Sequence, residues 1–166
     1  METDKNLKEA FAGESQASRK YVAFSRKADK EGHKQIAKLF RAAAESETIH
    51  ALKHLDVMQG IRTTKENLQE AINGETFEFT KMYPAMIEQA EKDNNSKAKL
   101  SFAGANAVEQ EHAKLFSQAL AALKANKDLD KADIYVCDVC GNTFMENVPD
   151  RCPVCKAPKS GFKLIE

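Results

Sequence analysis

Two groups of residues in this 166-residue chain have the types and spacing of metal ligands. The first is Cys137, Cys140, Cys152 and Cys155, two C-x2-C knuckles separated by eleven residues. Two such knuckles bring four thiolates into one tetrahedral cage, which takes zinc as a structural ion or a single iron as a one-electron carrier. The second is a repeated pattern of acids. Glu47 and His50 form a Glu-x-x-His, and Glu109 and His112 form another sixty-two residues later. Residues three apart share one face of a helix, so each pair can converge on one point. Glu14, in GES, recurs as Glu75, in GET, at an offset of sixty-one. A Glu from each of two helices plus a Glu-x-x-His from each of two others is the ligand set of a di-iron or di-manganese carboxylate site in a four-helix bundle. Taken singly, each Glu-x-x-His is commonplace on a charged helix. The agreement of the whole duplicated pattern is what carries the metal reading.

Charge argues the same way. With Glu14, Glu47, Glu75, Glu78 and Glu109 facing one core, five negative charges meet there, at prohibitive cost unless paired. Two ferrous ions nearly neutralise them, and hard carboxylates with imidazoles suit iron or manganese. Glu45 and Glu111 are out of phase with the histidines and are expected to point elsewhere. His54, one turn beyond His50, is expected at the surface or beside the ligands, and His33, after Gly32, is expected to be exposed. Tyr21 and Tyr83 follow Glu14 and Glu75 by seven and eight residues and are candidates to hydrogen-bond a ligand carboxylate.

The elements that must position these residues are long helices. Residues 1–132 contain no Cys and one Pro and are rich in Ala, Glu, Lys, Leu and Gln. Four amphipathic patterns fit them, over about 6–30, 33–59, 74–93 and 96–126. Short connections suggest an antiparallel bundle. Gly60 is expected to cap the second helix, and Thr63 and Glu66 have capping-box spacing before a short separate turn, KENLQEAIN. Pro84 inside the third pattern predicts a kink or break. GETFEFTKMYP, residues 74–84, also alternates like a strand at Phe77 and Phe79, but the bundle makes it the start of the third helix. Glu78, three residues after Glu75, has Ala17 at the matching place in the first half.

Three of the four prolines and all four cysteines lie beyond residue 136. The expected division is therefore 1–131 for the helical di-iron bundle and 132–166 for a small metal-stapled β/loop domain. The 25 basic residues balance the 25 acidic ones, so no global field favours nucleic acid or an anionic membrane. No signal-peptide pattern or membrane-spanning run is visible, and the expected location is the cytoplasm.

In the order GESQA, E-x-x-H, GETFEFTKMYP, E-x-x-H and paired C-x2-C, nearly the whole chain resembles a rubrerythrin. The resemblance implies a ferritin-like four-helix bundle followed by a rubredoxin-like domain. It also implies a non-haem di-iron peroxidase that reduces hydrogen peroxide to water in oxidative stress defence. Its electrons would return through the four-cysteine iron from an external reductase or rubredoxin fed by NAD(P)H. Glu78 matches the family's additional glutamate, which trades places with the first histidine, here His50, as ligand to a mobile iron. The family is typically a homodimer or higher oligomer. Asn94–Asn95 and Lys156 stand where relatives often carry Gly. An iron-handling ferroxidase and a redox-silent zinc-bearing module are the rival readings.

Overall fold

The computed structural model describes residues 1–145 and 147–166. It divides into two compact units, Met1–Arg62 and Thr63–Glu166. The first is an antiparallel pair of helices, α1 (Glu2–Lys30) and α2 (Lys34–Val57). Its buried residues are small: Ser18, Ser25 and Ala28 on α1, and Ala37, Ala44 and Ala51 on α2. On α2 they recur every seventh place, the period of a close helix–helix seam, and their small volume allows near approach. The hydroxyls of Ser18 and Thr48 hydrogen-bond across the seam at 2.9 Å. At the far end Asp29 takes hydrogen bonds from Arg41 at 2.7 Å and Lys34 at 3.0 Å. These two cations hold its carboxyl below the usual carboxylate range.

The second unit opens with α3 (Thr64–Phe77), whose start is the expected capping box. The Thr63 hydroxyl accepts from Glu66 N–H, and the Glu66 carboxylate accepts from Thr63 N–H. The helix that follows departs from expectation in two places. KENLQEAIN is no separate turn, for α3 continues through it and on past Glu75. Nor does Pro84 break the helix, although the helix is not a regular rod there. A π-helical turn at Glu78–Met82 joins α3 directly to α4 (Tyr83–Lys92). In that turn Tyr83 N–H bonds the Glu78 carbonyl, five residues back. Pro84 then falls in the first turn of α4, where its missing N–H costs little. After Asn95 caps it, α5 (Ser96–Lys124) runs back against α3 and α4.

All four hairpin and terminal turns use one device. Gly32, Gln59, Asn94 and Asn126 have left-handed backbone (φ +85°, +56°, +53° and +57°). The next residue's N–H closes onto a carbonyl of the last helical turn. Gly60 is thus the residue after the cap rather than the cap, and its N–H bonds the Leu55 carbonyl. Asn94 fills a place that favours Gly because Asn tolerates this conformation best among side-chain-bearing residues.

The C-terminal part of the second unit is a three-stranded antiparallel sheet in the order β2-β1-β3, with β1 Ile134–Cys137, β2 Thr143–Met145 and β3 Phe162–Ile165. Its buried core is Cys137, Phe144 and Cys152, with Phe162 stacked on Phe144 at 4.6 Å between ring centroids. Two of these three core residues are candidate metal ligands. So small a core needs the metal as a staple. The chain is thus mostly helical, with the four long helices of a ferritin-like protein and a small cysteine-bearing strand domain of rubredoxin type.

Candidate metal centres

In the first unit α1 supplies Glu14, and α2 supplies Glu47 and His50. Their ligand atoms all lie within 4.8 Å of one another. His50 Nδ1 is 2.9 Å from Glu47 Oε2 and 4.0 Å from Glu14 Oε1. In the second unit α3 supplies Glu75, and α5 supplies Glu109 and His112, again within 4.8 Å. His112 Nδ1 is 2.9 Å from Glu109 Oε2 and 3.9 Å from Glu75 Oε1. Two helix hairpins have built the same triad to within 0.1 Å in both distances. Glu45 is exposed, and Glu111 turns to Lys114 at 2.9 Å, so neither joins a triad. His33 is exposed at the start of α2, and His54 is half-buried and belongs to neither cluster.

The donor set fits a cation. Burial and the adjacent Glu109 carboxylate push the Glu75 carboxyl above its ordinary range. Burial, then Glu109, does the same for Glu78. Each histidine turns Nδ1, not Nε2, into the carboxylates. A divalent ion taken at that point would relieve the crowding of like charges while using both carboxylates and the imidazole lone pair.

Glu78 stands at the rim of the second triad and is not among its three converging ligands. It is the first residue of the π turn, a feature often found at functional sites. The turn also accounts for the two offsets in the repeat. Glu75 lies sixty-one residues after Glu14, whereas Lys92, which ends α4, lies sixty-two after Lys30, which ends α1. The additional residue falls between Glu75 and Lys92, the stretch that widens into the π turn.

Tyr21 packs with Phe24 and Phe40. Tyr83, its counterpart at offset sixty-two, packs near Phe102. Burial, then the charges of Glu78, Glu109 and Glu75, raise the Tyr83 phenol's pKa. Tyr83 therefore faces the acids, while the described contacts of Tyr21 are aromatic.

The four cysteines converge as a cage, unlinked by any disulfide. Sγ separations are 3.6 Å for Cys137–Cys155 and 3.5 Å for Cys140–Cys152. A tetrahedron with 2.3 Å metal–sulfur arms has edges of about 3.8 Å, so the cage has the size of a tetrathiolate ion site. Backbone N–H groups of Asn142, Val154, Cys155 and Ala157 point at the sulfurs and favour thiolates. Burial nonetheless pushes the Cys140 thiol up to about 12, a cost that a bound cation removes. Both knuckles turn on left-handed residues, Gly141 (φ +84°) and Lys156 (φ +63°).

One contact had no signal in the sequence. His112 Nε2 lies 3.0 Å from the hydroxyl oxygen of Thr143, on β2, thirty-one residues away. Neither spacing nor residue type marks Thr143 as part of a site.

Helices bearing paired carboxylate–histidine triads, followed by a four-cysteine strand domain, define a ferritin-like protein with a rubredoxin-like appendage. Residues 5–120 match the rubrerythrin family model, and residues 135–163 match the model of the rubrerythrin rubredoxin-like domain. The chain belongs to the rubrerythrin family, a family of di-iron oxidoreductases associated with peroxide reduction. It is 35% identical to rubrerythrin-2 of Clostridium acetobutylicum, over 96% of this chain and 94% of that protein. It is 34% identical to nigerythrin of Nitratidesulfovibrio vulgaris, over 96% and 85%. Structures of nigerythrin in partially reduced and fully reduced, all-ferrous states align over 98% of this chain and 86% of theirs, with a TM-score of 0.60 and 33% identity. Among the described residues no helix is long and apolar enough to cross a membrane.

Proposed function

We propose that the chain reduces hydrogen peroxide to two waters, consuming two electrons and two protons. Residues 1–131 form the part that holds two irons, and residues 132–166 the part that holds a third. Glu14, Glu47, His50, Glu75, Glu78, Glu109 and His112 are the di-iron ligands. Cys137, Cys140, Cys152 and Cys155 hold the mononuclear iron. The observation that carries this reading is the matched pair of triads, each with one histidine Nδ1 set against two carboxylates at near-identical distances.

When bound, the paired irons supply Lewis acidity and the two electrons that O–O cleavage consumes. The chain supplies the rest. Each Glu-x-x-His holds one carboxylate and one imidazole on one helix face, so both reach the same ion. Glu78 stands on a widened turn and is not one of the three converging ligands of the second triad. We assign it two tasks: trading places with His50 as ligand, and carrying a proton toward the departing oxygen. Its raised affinity for protons suits the second task. The Tyr83 phenol, whose pKa is raised by burial and by the charges of Glu78, Glu109 and Glu75, keeps its proton. It is assigned the task of donating that proton in a hydrogen bond when a carboxylate comes within reach. Electrons enter from an external reductase or rubredoxin drawing on NAD(P)H, in the cytoplasm, and the working form is a homodimer or larger.

Anaerobic titration tests the reading. One equivalent of hydrogen peroxide added to the fully ferrous protein is expected to oxidise the paired site without releasing dioxygen. The four-cysteine iron then follows as electrons redistribute. A diferrous form left unchanged by stoichiometric peroxide would sink the proposal. Rapid turnover with ferrous iron and dioxygen, with mineral retained, would instead make this an iron-storing ferroxidase.

A further inference from the structure

The hydrogen bond between His112 and Thr143 links the two ligand clusters of the second unit. His112 Nδ1 faces Glu109 and Glu75, so Nε2 is the one ring nitrogen left for another partner. A metal taken at Nδ1 leaves the ring's proton on Nε2, and that N–H then needs an acceptor in a half-buried position. Ligating histidines regularly donate this proton to a neighbouring group, which fixes the ring's orientation. Here the acceptor is the Thr143 hydroxyl, at 3.0 Å.

Strand geometry explains why this hydroxyl is there. In β2, Phe144 pairs with Tyr135 and points into the cysteine-domain core. Alternation along the strand sends Thr143 to the opposite face, where it meets α5. Its β-branched side chain has few rotamers, which keeps the oxygen aimed. Thr143 is also joined by one peptide bond to Asn142, whose carbonyl accepts from Cys137 N–H at 2.9 Å. The Asn142 N–H in turn donates to the Cys140 sulfur. A route of hydrogen bonds and a short run of backbone therefore leads from the thiolate cage to the imidazole within a single chain. The first triad is different. Among the described residues His50 Nε2 has no such partner, and its side chain is 52% exposed against 28% for His112.

We propose that Thr143 is a positioning residue. It orients His112 for metal binding at Nδ1 and couples that imidazole to the cysteine cage of the same chain, making the two otherwise matched triads inequivalent. The coupling half rests on the di-iron reading; the positioning half does not.

The test compares Thr143→Val, which keeps the shape and loses the hydroxyl, with Thr143→Ser, which keeps the hydroxyl. The full-length chain is labelled with nitrogen-15 at histidine, and its cysteine cage is filled with zinc. Further zinc is titrated into the helices against a competing chelator. Thr143→Val is expected to weaken binding at the His112 triad about tenfold, the lower end for loss of such a partner. Exchange of the His112 Nε2 proton should accelerate by a similar factor. Thr143→Ser is expected to stay within about twofold of the parent in both. No change in Thr143→Val overturns the positioning role, and so does a Ser variant as impaired as Val, because volume rather than the hydroxyl would then matter. In the iron-loaded protein, single-turnover electron transfer from the reduced cage should slow severalfold in Thr143→Val alone. An unaltered rate beside altered zinc binding overturns the coupling. Failure of the parent protein to react with peroxide would count against the peroxidase reading and leave the zinc result standing.

Discussion

Glu78→Gln separates a structural acid from a working one, because its three readouts should move in different directions. The substitution removes one charge from a cluster in which burial, then the Glu109 charge, makes Glu78 bind its proton more tightly than an ordinary carboxylate. A carboxyl whose folded-state pKa is raised destabilises the fold wherever it is ionised, and the penalty disappears as pH falls through that raised value. The metal-free variant should therefore be more stable than the parent at neutral pH and equal to it below about pH 4. Glu78 is partly exposed, so solvent screening limits the gain to about 0.5 kcal/mol. Metal affinity should fall by less than about tenfold, since Glu75, Glu109 and His112 still converge within 4.8 Å. Peroxide turnover should fall at least about a hundredfold, the usual contribution of a positioned acid–base group. Denaturant unfolding of the metal-free protein, chelator competition and stopped-flow peroxidase kinetics measure the three in turn. A loss of metal affinity as large as the loss of turnover would make Glu78 an ordinary ligand and refute the separation argued for it.

Three further outcomes follow from the geometry. Lys156→Gly should stabilise the cysteine domain by about 0.5 to 1 kcal/mol, because Lys156 holds a left-handed φ that costs a side-chain-bearing residue and not glycine; thermal unfolding of the metal-loaded protein reads this directly. Removing the cage metal should unfold the three strands and leave the helices intact, because Cys137 and Cys152 are two of the three buried apolar residues described there; amide protection retained in β1 to β3 after chelation would contradict this. Asp29 is held ionised by Lys34 and Arg41, so its contribution is present above the unfolded pKa near 4 and is lost as pH falls through the lower folded value. Asp29→Asn should accordingly flatten that part of the acid limb in a pH series of unfolding midpoints.

Much of this protein was readable from residue spacing because its ligands ride on regular elements. A helix repeats every 3.6 residues, so Glu47 with His50 and Glu109 with His112 declare a shared face without any tertiary information. Duplication then checked each assignment against its counterpart. The cysteine cage was legible for a similar reason, since a C-x2-C knuckle is a local structure. Misreading set in where local preference met a longer-range demand. Pro84 signals a broken helix on propensity alone, yet a π turn one step upstream lets the helix absorb it. KENLQEAIN reads as a separate piece because the third helical pattern in the sequence starts only at Gly74, but packing on α5 carries one helix through both. Thr143 was invisible, since its role depends on which face of a three-residue strand meets α5, and no spacing rule spans thirty-one residues of intervening chain.

The π turn has a consequence at the level of the gene. A helix extended by one inserted residue normally rotates everything beyond it by about 100°, which would turn Tyr83 and its neighbours off their face. Swelling one turn confines the insertion, so the downstream helix keeps its old orientation while a new side chain appears upstream. The one-residue difference in pitch between the halves is therefore separate from the difference between Glu78 and Ala17, which stand at matched places upstream of it. Conversely, deleting one codon between 79 and 82 should shrink the turn to ordinary α-helix and return the second hairpin to the pitch of the first. Such a protein keeps Glu78 and would measure what the widened turn alone contributes.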